Sequence, residues 1–151
     1  MSLTPHRVLI VLRGAAVLGG LAALIALAGP FKYSQLGLPF PDTVAHALLF
    51  YGLGVLMLSA LPRSRTADLA AALVGLGVAS EVAQSLVGRE ASLHDFAGDL
   101  IGVSLVILPV YLNRFRDLVR THPHARFADL RRMDRRQRAA TSPAPLDIAG
   151  L

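Results

Sequence analysis

The sequence contains no cysteine, and this absence excludes disulfide bonds and thiolate metal sites. The common catalytic signatures are missing as well: the chain has no GxSxG, no HExxH and no Walker loop. No internal repeat or low-complexity array is visible, and a length of 151 residues permits a single domain. Any functional site must therefore be recognised from the placement of individual polar residues.

Charge is scarce outside the C-terminal region. Nine of the 15 basic residues follow position 113, whereas the whole chain is 54% hydrophobic with a mean hydropathy of +0.54. This composition is too apolar for an ordinary soluble protein. We predict an integral membrane protein in which residues 114–151 form a basic, partly disordered cytoplasmic tail. A basic segment directly after a span is typical of such a tail, so nucleic-acid binding is not expected.

Four apolar segments are long enough to cross a membrane as helices. They predict an all-α, polytopic four-helix bundle over residues 1–113, with spans at about 8–28, 43–61, 69–87 and 95–112. For the first segment a cleaved signal peptide is the alternative, because Ala26-Leu27-Ala28 has the form of a cleavage site. In the tail, Phe127, Leu130 and Met133 recur at three-residue spacing and suggest a short amphipathic helix.

The positive-inside rule orients these spans. Arg63 and Arg65 lie in the loop at 62–68, so that loop, the N-terminus and the basic tail are predicted to be cytoplasmic. The loops at 29–42 and 88–94 then lie outside. Gly98 and Gly102 have the GxxxG spacing that allows helices to pack closely.

Polar residues gather at the predicted outer ends of the last three spans. The spacings within each helix put paired members on one face, so three helices can present polar groups to one point. Because charged groups inside a span are costly, they normally face protein or a water-filled cavity. The predicted ligand-binding residues are Asp42, His46, Glu81, Gln84, Arg89, Asp95 and Asp99.

Simpler roles explain some of these residues. Asp42 and Asp95 are each as well placed to cap a helix as to bind a ligand, and Arg89 would neutralise a nearby acid. His46 is expected to pair with Asp42 one turn earlier. Glu81 has no such explanation.

Asp99 and the residues of the outer loop have different expected roles. Asp99 is explained by no helix cap and, with Glu81, gives most support to a functional site. It lies a turn deeper than Asp95 and is the acid expected to hold its proton. Glu90, Ser92 and His94 are expected to be solvated in the outer loop.

As a set, these residues resemble the VanZ-like family of prokaryotic membrane proteins over about residues 8–113. Thr43 stands where the family often has Lys, and Asp99 where it usually has Asn. The resemblance rests on Asp42-x3-His46 with Tyr51 and Leu53, followed by Glu81-x2-Gln84-x4-Arg89-x5-Asp95-x3-Asp99-x2-Gly102.

The resemblance implies a multi-pass protein of the bacterial cytoplasmic membrane, in a family named for teicoplanin resistance. It points to membrane lipids and to a cell-envelope precursor or glycopeptide-related ligand as partners. We expect no cofactor. We expect a polar outer-leaflet pocket that binds or remodels a lipid-linked ligand. The resemblance settles neither an activity nor an oligomeric state.

The sequence leaves four alternative functions open. A hydrolase or transferase acting on a lipid head group would use Glu81 or Asp99 as general base and Arg89 to stabilise developing charge. A hard cation bound by Asp42, His46 and the other acids is a second alternative, although the spacing matches no known ligand motif. A transporter is disfavoured because the polar residues stop halfway through the spans. The fourth is an interhelical hydrogen-bond network with a purely structural role.

Overall fold

The computed structural model describes residues 4–28, 39–88 and 92–133. All regular structure in these residues is helical, and four of the helices are long and apolar enough to cross a membrane. The predicted all-α fold with four transmembrane helices is therefore confirmed, and the chain is a multi-pass membrane protein. The helices are α1 (Pro5–Ala28), α2 (Asp42–Ala60), α3 (Thr66–Leu86), α4 (Leu93–Thr121) and the short α5 (127–133).

The ends of the first three helices follow local sequence. Thr4 precedes α1, and its hydroxyl accepts a hydrogen bond from the backbone N–H of Arg7 at 3.4 Å. Pro62 lies two residues past the end of α2, where it cannot continue the helix. Gly88 follows α3 with φ +80°, a left-handed conformation that glycine adopts without strain and that ends many helices.

The fourth helix differs from the prediction. The helix extends beyond the predicted span at 95–112, because α4 begins at Leu93 and continues to Thr121. Loss of hydrophobicity after Leu112 marks the end of the apolar segment, whereas the following polar residues still allow a helix. At the other end, Ser92 rather than Asp95 acts as the cap, since its hydroxyl accepts the backbone N–H of Asp95 at 3.3 Å.

The apolar core draws on all four long helices. Phe50 and Leu27 are fully buried, and Leu73 is almost so. Since α1 contributes only near its C-terminal end, most of its surface is left outside this core. The buried cluster consists of Ala23, Leu27, Phe50, Leu53, Leu73, Val103 and Ile107.

The chain divides into two compact units, Met1–Leu112 and Asn113–Leu151. The first contains the core and all the predicted site residues. In the second, α5 occupies the stretch in which Phe127, Leu130 and Met133 predicted a helix. Leu130 is half-buried, while Phe127 and Met133 are exposed.

Candidate functional site

Two glycines of α4 bring that helix into backbone contact with α2. A side chain at Gly98 would collide with the carbonyl oxygen of Thr43, and one at Gly102 with that of Ala47. The predicted GxxxG spacing therefore forms a close helix–helix seam. Asp99 follows Gly98 directly, so this seam carries its carboxylate to the surface of α2.

His46 and Asp99 meet at this seam. The Nδ1 atom of His46 lies 2.8 Å from Oδ1 of Asp99, and the two side chains are 0% and 1% exposed. The expected pairing of His46 with Asp42 is not the one found, because the partner comes from α4. Asp42 is instead the first residue of α2, half-buried, and it provides no side-chain cap since Pro41 occupies the cap position.

A glycine on α3 makes room for the same carboxylate. The Cβ of any larger residue at Gly77 would lie 3.0 Å from Oδ2 of Asp99. Asp99 is therefore enclosed by α2 on one side and α3 on another. No cue in the sequence singled out Gly77, because Gly75 lies two positions earlier in the same stretch of α3, which is rich in small residues.

Glu81 lies one turn after Gly77 and completes a cluster of three titratable side chains. Its Oε2 atom accepts the backbone N–H of Ser92 at 2.7 Å, while its Oε1 atom is buried and has no hydrogen-bond partner within the described part of the chain. Donor atoms of His46, Glu81 and Asp99 all lie within 4.8 Å of one another. We refer to these three residues as the polar cluster.

Gln84 is fully buried, and neither its amide nitrogen nor its amide oxygen has a hydrogen-bond partner among the described residues. It follows Glu81 by three positions on α3, which puts both side chains on one face of the helix. A buried amide without partners costs about 1–3 kcal/mol for each unsatisfied group. Such a group in a native fold calls for water or a ligand.

Asp95 lies at the edge of the polar cluster. It is half-buried, and its Oδ1 atom accepts the hydroxyl of Thr43 at 3.2 Å. Thr43 thus supplies a neutral donor at the position where the VanZ-like pattern often has a lysine. Arg89 lies outside the described residues, so its predicted approach to a carboxylate stays a prediction.

Ser92 is the site residue that sequence reasoning missed. It was expected to be solvated, yet it is half-buried. Its N–H donates to Glu81, and its hydroxyl accepts the N–H of Asp95 in the first turn of α4. Ser92 thereby links α4 to Glu81. A serine three residues before an acid, just ahead of an apolar run, is a recognised helix-start pattern and was the available signal.

An apolar groove runs between α3 and α4 beside the polar cluster. Its volume is about 280 Å³, and Glu81 belongs to its wall. The groove and the polar cluster thus share one carboxylate. The lining residues are Val78, Glu81, Val82, Ser85, Ser92, Leu93 and Phe96.

Comparison of the chain with models of known protein families, with well-characterised proteins and with solved structures gives no match in any of the three. The VanZ-like resemblance therefore stays a prediction that rests on the residue pattern alone.

Proposed function

We propose that this protein is a VanZ-like protein of the bacterial cytoplasmic membrane that binds or remodels a lipid-linked cell-envelope ligand in the outer leaflet. The observation that supports this most is the position of Glu81, which lines the apolar groove and also belongs to the polar cluster. A ligand with a hydrocarbon chain and a polar head would find both kinds of surface at one place.

Unsatisfied polar atoms favour binding over a purely structural network. In a structural network the buried donors and acceptors satisfy one another. Here the Gln84 amide, Oε1 of Glu81 and Oδ2 of Asp99 are buried without partners among the described residues. A polar head group would supply the missing hydrogen bonds.

The proposed orientation follows from charge. Arg63 and Arg65 lie between α2 and α3, and the basic tail begins at Arg114 in the last turns of α4, so both segments are assigned to the cytoplasmic side. The polar cluster lies near the opposite ends of these helices and is thereby assigned to the outer leaflet. That location suits a ligand derived from envelope precursors.

The test is to extract the protein gently from membranes and identify the retained lipids by native mass spectrometry. Val78→Phe narrows the groove and should reduce the retained lipid at least about tenfold, because the added ring occupies the proposed chain site. Val55→Phe is the matched control, since Val55 is similarly exposed (42% against 50%) but lies outside the groove on α2.

Equal lipid retention by the two phenylalanine variants, or no lipid retained by the wild type, would contradict the proposed ligand class.

The proposed link to teicoplanin resistance has its own measurement. Expression in a susceptible bacterium should raise the inhibitory concentration of teicoplanin, and Glu81→Gln should remove that increase at equal protein level. If Glu81→Gln raises the inhibitory concentration as much as the wild type does, resistance does not depend on this site.

A hydrolase or transferase is the second candidate, and the contact between His46 and Asp99 favours it. A carboxylate at Nδ1 of an imidazole fixes the ring and directs its other nitrogen toward a reacting group. Water would be the attacking group in a hydrolysis at this site. Purified protein incubated with lipid-linked precursors should release a head group, and His46→Asn should stop the release. No turnover by the wild type would exclude this candidate.

A further inference from the structure

We propose that His46, Glu81 and Asp99 bind one divalent metal cation of the class that accepts both imidazole nitrogen and carboxylate oxygen, with Zn²⁺ and Mn²⁺ as its representatives. The proposal goes beyond the lipid-linked ligand and does not depend on it. It rests first on geometry: three side chains from three helices bring donor atoms within 4.8 Å of one another.

These distances are close to those of a metal site. At bond lengths of about 2.0–2.2 Å, two ligand atoms of one tetrahedrally coordinated ion lie about 3.3–3.6 Å apart. The donor atoms of the polar cluster, which lie within 4.8 Å of one another, must therefore approach by up to about 1.5 Å. Shifts of less than about 1 Å in each of two side chains achieve this. Rotation of a glutamate or aspartate side chain is sufficient for such a shift.

The donor set selects the class of ion. One imidazole with two carboxylates is harder than a thiolate site and softer than an all-oxygen site. Imidazole suits zinc, and carboxylates suit manganese, so a mixed set accommodates either ion. An all-oxygen ion such as Mg²⁺ gains least from the histidine.

Unpartnered buried atoms provide an independent argument. Among residues 4–28, 39–88 and 92–133, nothing forms a hydrogen bond with the buried Oδ2 of Asp99 or Oε1 of Glu81, and Asp99 is only 1% exposed. The Gln84 amide oxygen, on the same face of α3 as Glu81, is another buried acceptor that has no partner in these residues. A bound ion would be coordinated by such buried oxygen atoms, which accept no hydrogen bond from the described residues.

Charge leads to the same conclusion. Two carboxylates this close together inside a membrane-spanning bundle repel each other and lose hydration. Within the described residues, no arginine or lysine forms an ion pair with Glu81 or Asp99. A divalent cation would balance both acids and would displace the proton held between His46 and Asp99.

The cation site would be a property of this chain rather than of the resemblance. The VanZ-like pattern usually has Asn at the position of Asp99, and an amide is a poor substitute for a charged ligand. The carboxylate at Asp99 is therefore the feature that makes a metal site feasible here.

The experiment measures metal content of the full-length protein, purified in detergent without chelator, loaded separately with Zn²⁺ and Mn²⁺ and then freed of unbound ion. The wild type should retain about one ion per chain. Glu81→Gln and Asp99→Asn should each reduce retention at least about tenfold. Asp68→Asn, an exposed acid on the same helix as Glu81, is the matched control and should retain the wild-type amount.

A second measurement does not depend on variants folding. Zn²⁺ or Mn²⁺ should raise the melting temperature of the wild type by about 5 °C, and a chelator should reverse the increase. Retention of neither ion by the wild type, or equal retention by Glu81→Gln and the wild type, would overturn the proposal. No lipid takes part in either measurement. A negative result would therefore overturn the metal site without affecting the proposed lipid-linked ligand, which the lipid-retention experiment tests.

Discussion

Helices α1 and α4 show opposite relations between hydrophobicity and burial. The most apolar window in the bundle belongs to α1, yet only 6% of it is buried, against 39% of the corresponding window of α4. In addition, α4 carries Asp99 and two glycines at its buried face. In water the more apolar helix would be expected inside.

The difference shows what holds a bundle together in lipid. Lipid chains are as apolar as leucine, so hydrophobicity provides no reason for α1 to leave the periphery. Close packing at Gly98 and Gly102 and the contact of Asp99 with His46 give α4 its central position. The residues that build the centre of the bundle are therefore the ones that build the candidate site.

The largest expected effect comes from glycine replacement. Gly102→Leu should destabilise the protein by about 3 kcal/mol, because its Cβ alone collides with the backbone of α2. Gly20→Leu in α1 should have little effect, since nothing lies within 4 Å of its added Cβ. Thermal unfolding in detergent measures both, and similar losses would break the distinction between the two helices.

Leucine truncation along α1 should give the next largest effect. Leu27 is fully buried in the core, whereas Leu21 is 53% exposed. Leu27→Ala should cost about 2 kcal/mol or more, and Leu21→Ala a few tenths at most. The same unfolding assay applies. A uniform cost at both positions would mean that α1 is packed along its length and does not lie at the periphery.

Arg13 provides a polar contact between α1 and α2, and its replacement should have a smaller effect. Its Nε atom donates to the carbonyl oxygen of Ala60 at 3.3 Å, at the end of α2. Arg13→Met should destabilise the protein by about 1 kcal/mol. Arg63→Met, at an exposed position after α2, is the control. If Arg63→Met destabilises the protein as much as Arg13→Met does, the loss comes from removing a positive charge and not from the contact with Ala60.

Labelling should reveal orientation with no change in stability. Ser64→Cys and Leu93→Cys are both exposed positions, at opposite ends of α3. A membrane-impermeant thiol reagent applied to intact cells should modify Leu93→Cys alone, in line with the positive-inside rule. Modification of both from outside would contradict the proposed topology, and modification of Ser64→Cys alone would move the polar cluster to the inner leaflet.

The four-helix fold could be predicted from the sequence for a physical reason. Apolar runs of about 20 residues have one stable form in a membrane, so the four helices could be predicted from composition alone. The end of α4 could not, because a helix continues past Leu112 after hydrophobicity has ended. Hydropathy reports the membrane boundary and not the helix boundary.

For the candidate site, sequence identified the polar residues but not all their contacts. Spacing along one helix suggested Asp42 as the partner of His46, since periodicity describes faces within a helix. The observed partner, Asp99, lies 53 positions away. Its approach depends on how close α2 and α4 pack and on the space left at Gly77, which only three-dimensional packing determines.

A double-mutant cycle on His46 tests the central claim, that the site is built by joining α4 to α2 through this histidine. The two cycles combine His46→Ala with Asp99→Ala and His46→Ala with Asp42→Ala, each measured by reversible unfolding in detergent. We expect a coupling energy of about 1 kcal/mol or more for His46 with Asp99 and about zero for His46 with Asp42. Coupling to Asp42 that equals or exceeds the coupling to Asp99 would contradict the account.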